Sequence, residues 1–176
     1  HLDNLIILDC TIDKIGQTLQ NEKLELITNS VFFDLEGKFS DHSIQLPHTL
    51  VDENTFTTES QQLGINDNSI IVCYDRWGVY SSPRVWWMFK TMGHKEVYVL
   101  DGGLPEWKKN NFETVSSHLQ PREKGDFVAH LQEHWFADTQ VMLNAINDNS
   151  KIIVDARSQG RFEGVSPEPR QGLRSG

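Results

Sequence analysis

Short apolar runs separated by polar loops recur along the first hundred residues, each with the length of a buried strand. Leu5-Ile6-Ile7-Leu8-Asp9-Cys10 is the first, closed by an acid at its carboxyl end. Ser30-Val31-Phe32-Phe33-Asp34-Leu35, Ser69-Ile70-Ile71-Val72-Cys73-Tyr74 and Glu96-Val97-Tyr98-Val99-Leu100 read as further strands, with helical segments near them. The best-marked helix opens at Ser82-Pro83, a capping hydroxyl followed by proline at the first helical position. It runs through Arg84-Val85-Trp86-Trp87-Met88-Phe89-Lys90-Thr91-Met92 and stops at Gly93. Asp101-Gly102-Gly103 then predicts a tight turn into a short helix over Leu104–Lys109, with Pro105 in its first turn. Strands alternating with helices predict an α/β fold with a central, mostly parallel sheet flanked by helices.

A near copy of the first run returns late in the chain. Lys151-Ile152-Ile153-Val154-Asp155-Ala156-Arg157 repeats its apolar stretch and its acid, which predicts another strand and a second copy of the unit beginning near Trp135. The stretch from Asn110 to Gly125 is polar and without clear period. The expected organisation is therefore one complete domain over 1–112, an interdomain linker over 113–134 and the start of a second domain over 135–176.

Composition narrows the function classes. The chain has 176 residues, 38% hydrophobic and 23% charged, with 9 Phe, 5 Trp and 3 Tyr, so a globular core is expected. With 16 Lys and Arg against 25 Asp and Glu, the formal net charge of −9 repels polyphosphate, and no nucleic-acid partner is expected. No apolar run reaches the roughly 18 residues of a membrane span, so no membrane partner is expected either. Two cysteines, Cys10 and Cys73, allow at most one disulfide, which points to a reducing compartment, the cytoplasm.

Ligands of open α/β sheets bind beyond the carboxyl ends of strands, where loops enter helix N-termini. The stretch from Ile71 to Arg84 is such a place, and its geometry predicts an anion cradle. Its first loop residue, however, is Asp75, a poor sulfur or phosphoryl carrier, so the cradle lacks an attacking group. This loop, the Ser82-Pro83-Arg84-Val85-Trp86-Trp87-Met88-Phe89 helix and Asp101-Gly102-Gly103-Leu104 with Trp107 resemble the amino-terminal domain of a tandem rhodanese. Gly160-Arg161-Phe162-Glu163-Gly164-Val165-Ser166-Pro167-Glu168-Pro169-Arg170-Gln171-Gly172-Leu173-Arg174-Ser175-Gly176 resembles the early second domain of 3-mercaptopyruvate sulfurtransferases.

The resemblance implies a rhodanese-like fold, a catalytically silent first domain with Asp75 marking the pseudo-site, and a persulfide-forming cysteine in the second domain, after Gly176. It implies a small-molecule sulfur donor, an acceptor that is either a thiol, such as that of a small dithiol protein, or cyanide, and no cofactor. Arg161 and Arg170 would clamp the substrate carboxylate, since planar guanidinium forks match carboxylates bidentately; the related thiosulfate sulfurtransferases usually lack the second of these. Two alternatives stay open, a thiosulfate sulfurtransferase and a non-catalytic rhodanese-like module that binds a partner or anion.

Glu36 and His42 match an acidic residue and a histidine that the family places at its domain interface, although a surface histidine beside Asp41 is itself ordinary. Cys10 and Cys73 lie in apolar strands, where a thiol is packing rather than a nucleophile. Asp9 and Asp155, at strand ends, are expected to fix loops. His130 and His134 have an i, i+4 spacing, but their neighbours look extended, and no metal site is expected.

Overall fold

The structure is a computed structural model that describes residues 3–121 and 123–168. It divides into two compact units, His1–Phe136 and Ala137–Gly176.

The first unit contains β1 (Leu5–Asp9), β2 (Leu26–Ile27), β3 (Ser30–Phe32), α1 (Glu53–Gln62), β4 (Ile70–Tyr74), α2 (Ser82–Thr91), β5 (Val97–Val99), α3 (Gly103–Lys109), β6 (Thr114–Val115) and a 3-10 turn at Glu133–Trp135. Four strands form one parallel sheet in the order β3-β1-β4-β5, with Leu8 opposite Cys73 and Ile71 opposite Val97. The four apolar runs named from the sequence are these strands. All their carboxyl ends open on one edge, so the loops after β1, β3 and β4 gather there.

The sheet is covered by a core rich in phenylalanine. Phe33 stacks on Phe39 at 3.8 Å between ring centres, and Phe56 of α1 meets Phe89 of α2 edge-on at 5.0 Å. The edge-on geometry is one that aromatic quadrupoles prefer. The sequence gives α1 no clear signature, because Glu53-Asn54-Thr55-Phe56-Thr57-Thr58-Glu59-Ser60 is mostly polar; what starts it is Asp52, whose carboxylate accepts from the amides of Asn54 (2.8 Å) and Thr55 (3.0 Å).

Residues 113–121 and 123–134 lie against this unit. Thr114–Val115 pairs antiparallel with Leu26–Ile27, and Phe127 and Ala129 are buried in the phenylalanine core. The polar composition hides this, because a two-residue strand carries no period. Trp135 closes the segment over α2: its ring packs edge-on against Trp86 at 5.5 Å and its carbonyl accepts from Trp87 Nε1 at 2.9 Å. The consecutive aromatics of α2 are accounted for by this cover on one side and by the core around the buried Met88 and Phe89 on the other.

The second unit holds α4 (Thr139–Ile146), capped by Asp138, and the four-residue α5 (Gln159–Phe162). The strand expected at Lys151–Val154 is not formed. A strand needs a hydrogen-bonded neighbour, none of the described residues pairs with this run, and Ile152 and Val154 stand 89% and 79% exposed. Apolar sequence alone does not make a strand without a ladder.

Candidate functional site

β4 delivers Asp75 to the carboxyl edge of the sheet, and the loop that follows folds back over it into α2. The side chain is fully buried. One carboxylate oxygen, Oδ1, accepts from the amide of Trp77 at 3.0 Å. The other, Oδ2, accepts from the amides of Tyr80 (2.8 Å), Ser81 (3.1 Å) and Ser82 (3.0 Å) and from the Ser82 hydroxyl (2.7 Å). The cradle thus forms, and the chain's own carboxylate fills it. Burial by itself would raise the Asp75 carboxyl, but the Ser82 hydroxyl and the amides of Tyr80, Ser82 and Trp77 outweigh it and hold the group below the ordinary aspartate range.

This arrangement corrects the start of α2. The N-cap is Ser81 rather than Ser82, Pro83 falls at the second helical position, and the Ser81 hydroxyl is buried without a partner. The orphan amides that a capping side chain would take are taken by Asp75 from the strand below. The loop also needs close backbone approach: Gly103 sits at φ +51°, and a Cβ there would stand 2.2 Å from the Gly78 carbonyl oxygen and 2.5 Å from that of Asp75.

A second carboxylate braces the same loop. Asp9, at the end of β1, accepts from the Thr11 hydroxyl at 2.5 Å, and that hydroxyl accepts in turn from the amide of Arg76 at 3.0 Å. The other Asp9 oxygen meets His118 Nε2 at 2.9 Å. Asp9 therefore fixes loops, as expected of it. Thr11 was legible in principle, since an acid followed two residues later by threonine favours this local turn. His118 carries no signal, being brought to Asp9 only by the path of residues 113–121.

Neither cysteine offers a nucleophile. Both are fully buried, and burial, with the Cys73 thiol beside it, pushes the Cys10 thiol well above its usual value. His130 lies in an irregular stretch and His134 in the 3-10 turn, so their spacing is not read on a helix. Among the described residues, no group of three or more His, Cys, Asp or Glu is placed to hold a metal ion, and no helix is long and apolar enough to cross a membrane.

Glu36 and His42 are brought together. They line one cleft of about 300 Å³ with Ser40, Asp41 and the tip residues that follow. The turn beneath is built by Asp34, whose carboxylate accepts from the Gly37 amide at 2.9 Å, while His42 Nε2 meets the Gly37 carbonyl at 3.0 Å. Because a carbonyl only accepts, the His42 proton sits on Nε2, and Nδ1 is the nitrogen left to accept from another group when the ring is neutral. Asp75 is not part of this cleft.

In the second unit, Arg161 donates to Glu168 through Nε at 3.0 Å and Nη2 at 2.6 Å, and Arg157 bridges the other Glu168 oxygen at 3.1 Å to Asp155 at 2.8 Å. Both donors of Arg161 converge on one oxygen of Glu168, Oε2, and Arg157 takes the other, so the guanidinium is engaged by a carboxylate of the chain itself. Asp155 orders its neighbourhood through Arg157. Arg170 lies outside the described residues.

Fold and cradle together define a class. Residues 4–110 match the rhodanese-like domain family, and the chain belongs to that family. It is 36% identical over 177 residues to the 3-mercaptopyruvate sulfurtransferase of Rattus norvegicus, covering 98% of this chain and 59% of the rat protein. It is 35% identical over 184 residues to a mitochondrial thiosulfate/3-mercaptopyruvate sulfurtransferase of Arabidopsis thaliana, covering 93% of this chain and 48% of that protein. The crystal structure of a 3-mercaptopyruvate sulfotransferase from Escherichia coli superposes with a TM-score of 0.84 at 30% identity, over 98% of this chain and 65% of that one. The chain therefore spans about half to two thirds of the length of these relatives.

Proposed function

We propose that this chain is the first domain, with the start of the second, of a tandem sulfurtransferase that moves sulfane sulfur from 3-mercaptopyruvate to a thiol or cyanide acceptor. The observation that carries the reading is similarity to named 3-mercaptopyruvate sulfurtransferases across almost the whole chain, Arg161 region included. The sealed cradle at Asp75 and the two buried cysteines support placing the reactive thiol outside these 176 residues, in the second domain.

The reaction needs a cysteine thiolate that attacks the sulfur of the substrate. The carbon–sulfur bond breaks, its electron pair leaves as pyruvate enolate, and protonation of that carbon gives pyruvate and the enzyme persulfide. An acceptor thiolate then takes the outer sulfur and returns the cysteine thiolate. In this reading Arg161 and Arg170 hold the substrate carboxylate, Arg161 exchanging Glu168 for it, and Glu36 with His42 supports the catalytic loop from the first domain. The chemistry calls for no cofactor, and two free thiols suit a reducing compartment such as the cytoplasm.

A second donor, thiosulfate, is favoured by the Arabidopsis relative, whose name carries both substrates. The test is intact mass of the full-length protein under non-reducing conditions, before and after each donor. Gain of one sulfur atom with mercaptopyruvate supports the proposal. Gain with thiosulfate alone assigns the other donor, and no gain with either leaves the non-catalytic binding module.

A further inference from the structure

Arg84, in the first turn of α2, is a cation that makes no ion pair among the described residues. Its Nη2 donates to the carbonyl of His48 at 2.8 Å, its guanidinium carbon lies 4.3 Å from the centre of the Trp87 ring, and its Nε is buried with no hydrogen-bond partner. Burial lowers the Arg84 pKa, the direction expected of a desolvated cation. The carbonyl that Arg84 holds belongs to a strained residue. His48 stands at φ +57°, a left-handed conformation that a residue other than glycine adopts at an energetic cost, and its Nδ1 is also buried without a partner.

His48 ends the loop that carries His42. The base of the loop is closed by the Asp41 amide on the Thr49 carbonyl at 2.8 Å, and its first turn by the Ser43 amide on the Asp41 carboxylate at 2.8 Å. Among the described residues, the hydrogen bond that reaches residues 42–48 from outside the loop and the turn beneath it is the one from Arg84. The tip is otherwise exposed, with Ile44 at 48% and Leu46 at 69%. We propose that Arg84 is a positioning residue, which clamps His48 in its left-handed conformation and so fixes the loop whose His42 shares a cleft with Glu36. The inference rests on the reading of Glu36 and His42 as supports of the sulfur-transfer site.

The test is Arg84→Met in the full-length protein, read by amide exchange and by steady-state kinetics with mercaptopyruvate. Exchange at Asp41 and Ser43 is expected to rise by about tenfold or more, with Phe56 and Ile71 in the core unchanged. In the same protein kcat is expected to fall by about fivefold or more with little change in KM, since a group that orients the reaction is displaced while the substrate carboxylate is still held. Arg84→Lys, which keeps the charge but has no plane to lay over Trp87, is expected to fall between the two and serves if the methionine variant does not fold. Unchanged exchange at Asp41 and Ser43 overturns the clamp. A loosened loop with unchanged kcat, in a protein where His42→Ala does lower kcat, overturns the positioning role alone. If His42→Ala leaves kcat unchanged, the reading of His42 falls and the inference falls with it.

Discussion

Removing the Asp75 carboxylate is the sharpest perturbation available to this fold. Asp75→Ala leaves four backbone amides and the Ser82 hydroxyl facing a buried hole. Hydrogen bonds to a charged acceptor contribute about 1.5 to 3 kcal/mol each, but bonds that share one carboxylate do not add, so a loss of about 4 kcal/mol is expected. For a unit of this size that is a fall in Tm of about 12 °C. Asp75→Asn should cost only about 2 kcal/mol: its carbonyl can take the place of Oδ2 and accept from Tyr80, Ser81 and Ser82, leaving a single donor–donor conflict with the Trp77 amide. The pH dependence follows from the lowered carboxyl. The contribution of Asp75 is complete above the ordinary aspartate value of 3.8 and is lost as pH falls through that value towards the folded one, so wild type and Asp75→Ala should converge in acid. Formate or acetate, small enough to enter the vacated cradle, should raise the Tm of Asp75→Ala and not that of the wild type. Urea and thermal melts of the purified chain measure all four. A loss below about 1 kcal/mol in Asp75→Ala at neutral pH, or equal responses of both proteins to formate, would refute the self-filled cradle.

Three further outcomes can be checked separately. His94 is buried, with Nε2 donating to the Ser69 carbonyl at 2.9 Å, and burial lowers its pKa; stability should be unaffected above about pH 6.5 and decline below it as the unfolded chain takes the proton first, and His94→Gln should flatten that slope in urea midpoints. Gly103→Ala should destabilise by about 2 kcal/mol or more, because its Cβ meets backbone at 2.2 Å, whereas Gly16→Ala, with positive φ but nothing within 4 Å, should cost about 1 kcal/mol; equal losses would mean that the loop yields easily. In the full-length protein, Arg170→Ala should raise KM for mercaptopyruvate far more than for thiosulfate, and equal effects on both would remove the carboxylate clamp from the proposal.

The strands of the sheet, the reach of α2 and the turn into α3 were legible residue by residue. Each is written in local terms: an apolar run between polar loops, a proline near a helix start, a glycine at its stop. That Asp75 brings no thiol to the cradle was legible too, since an aspartate cannot do a cysteine's chemistry wherever it points. What Asp75 does instead was not, because four of its five donors are amides, and an amide's direction is a property of the backbone path. The same holds for His118 on Asp9, for Arg84 on His48 and for the burial of Phe127, each joining residues far apart in the chain. The run Lys151–Val154 shows the converse. Its residues prefer a strand, and no strand forms, because a ladder needs a second chain segment at the right distance and the described residues bring none to it. Sequence by itself thus determined the elements whose causes lie within a few residues, the fold class and the aspartate that stands in the cradle. Tertiary structure decided which polar groups are satisfied and by whom, since hydrogen bonds and burial are set by distances between segments and not by the identity of either.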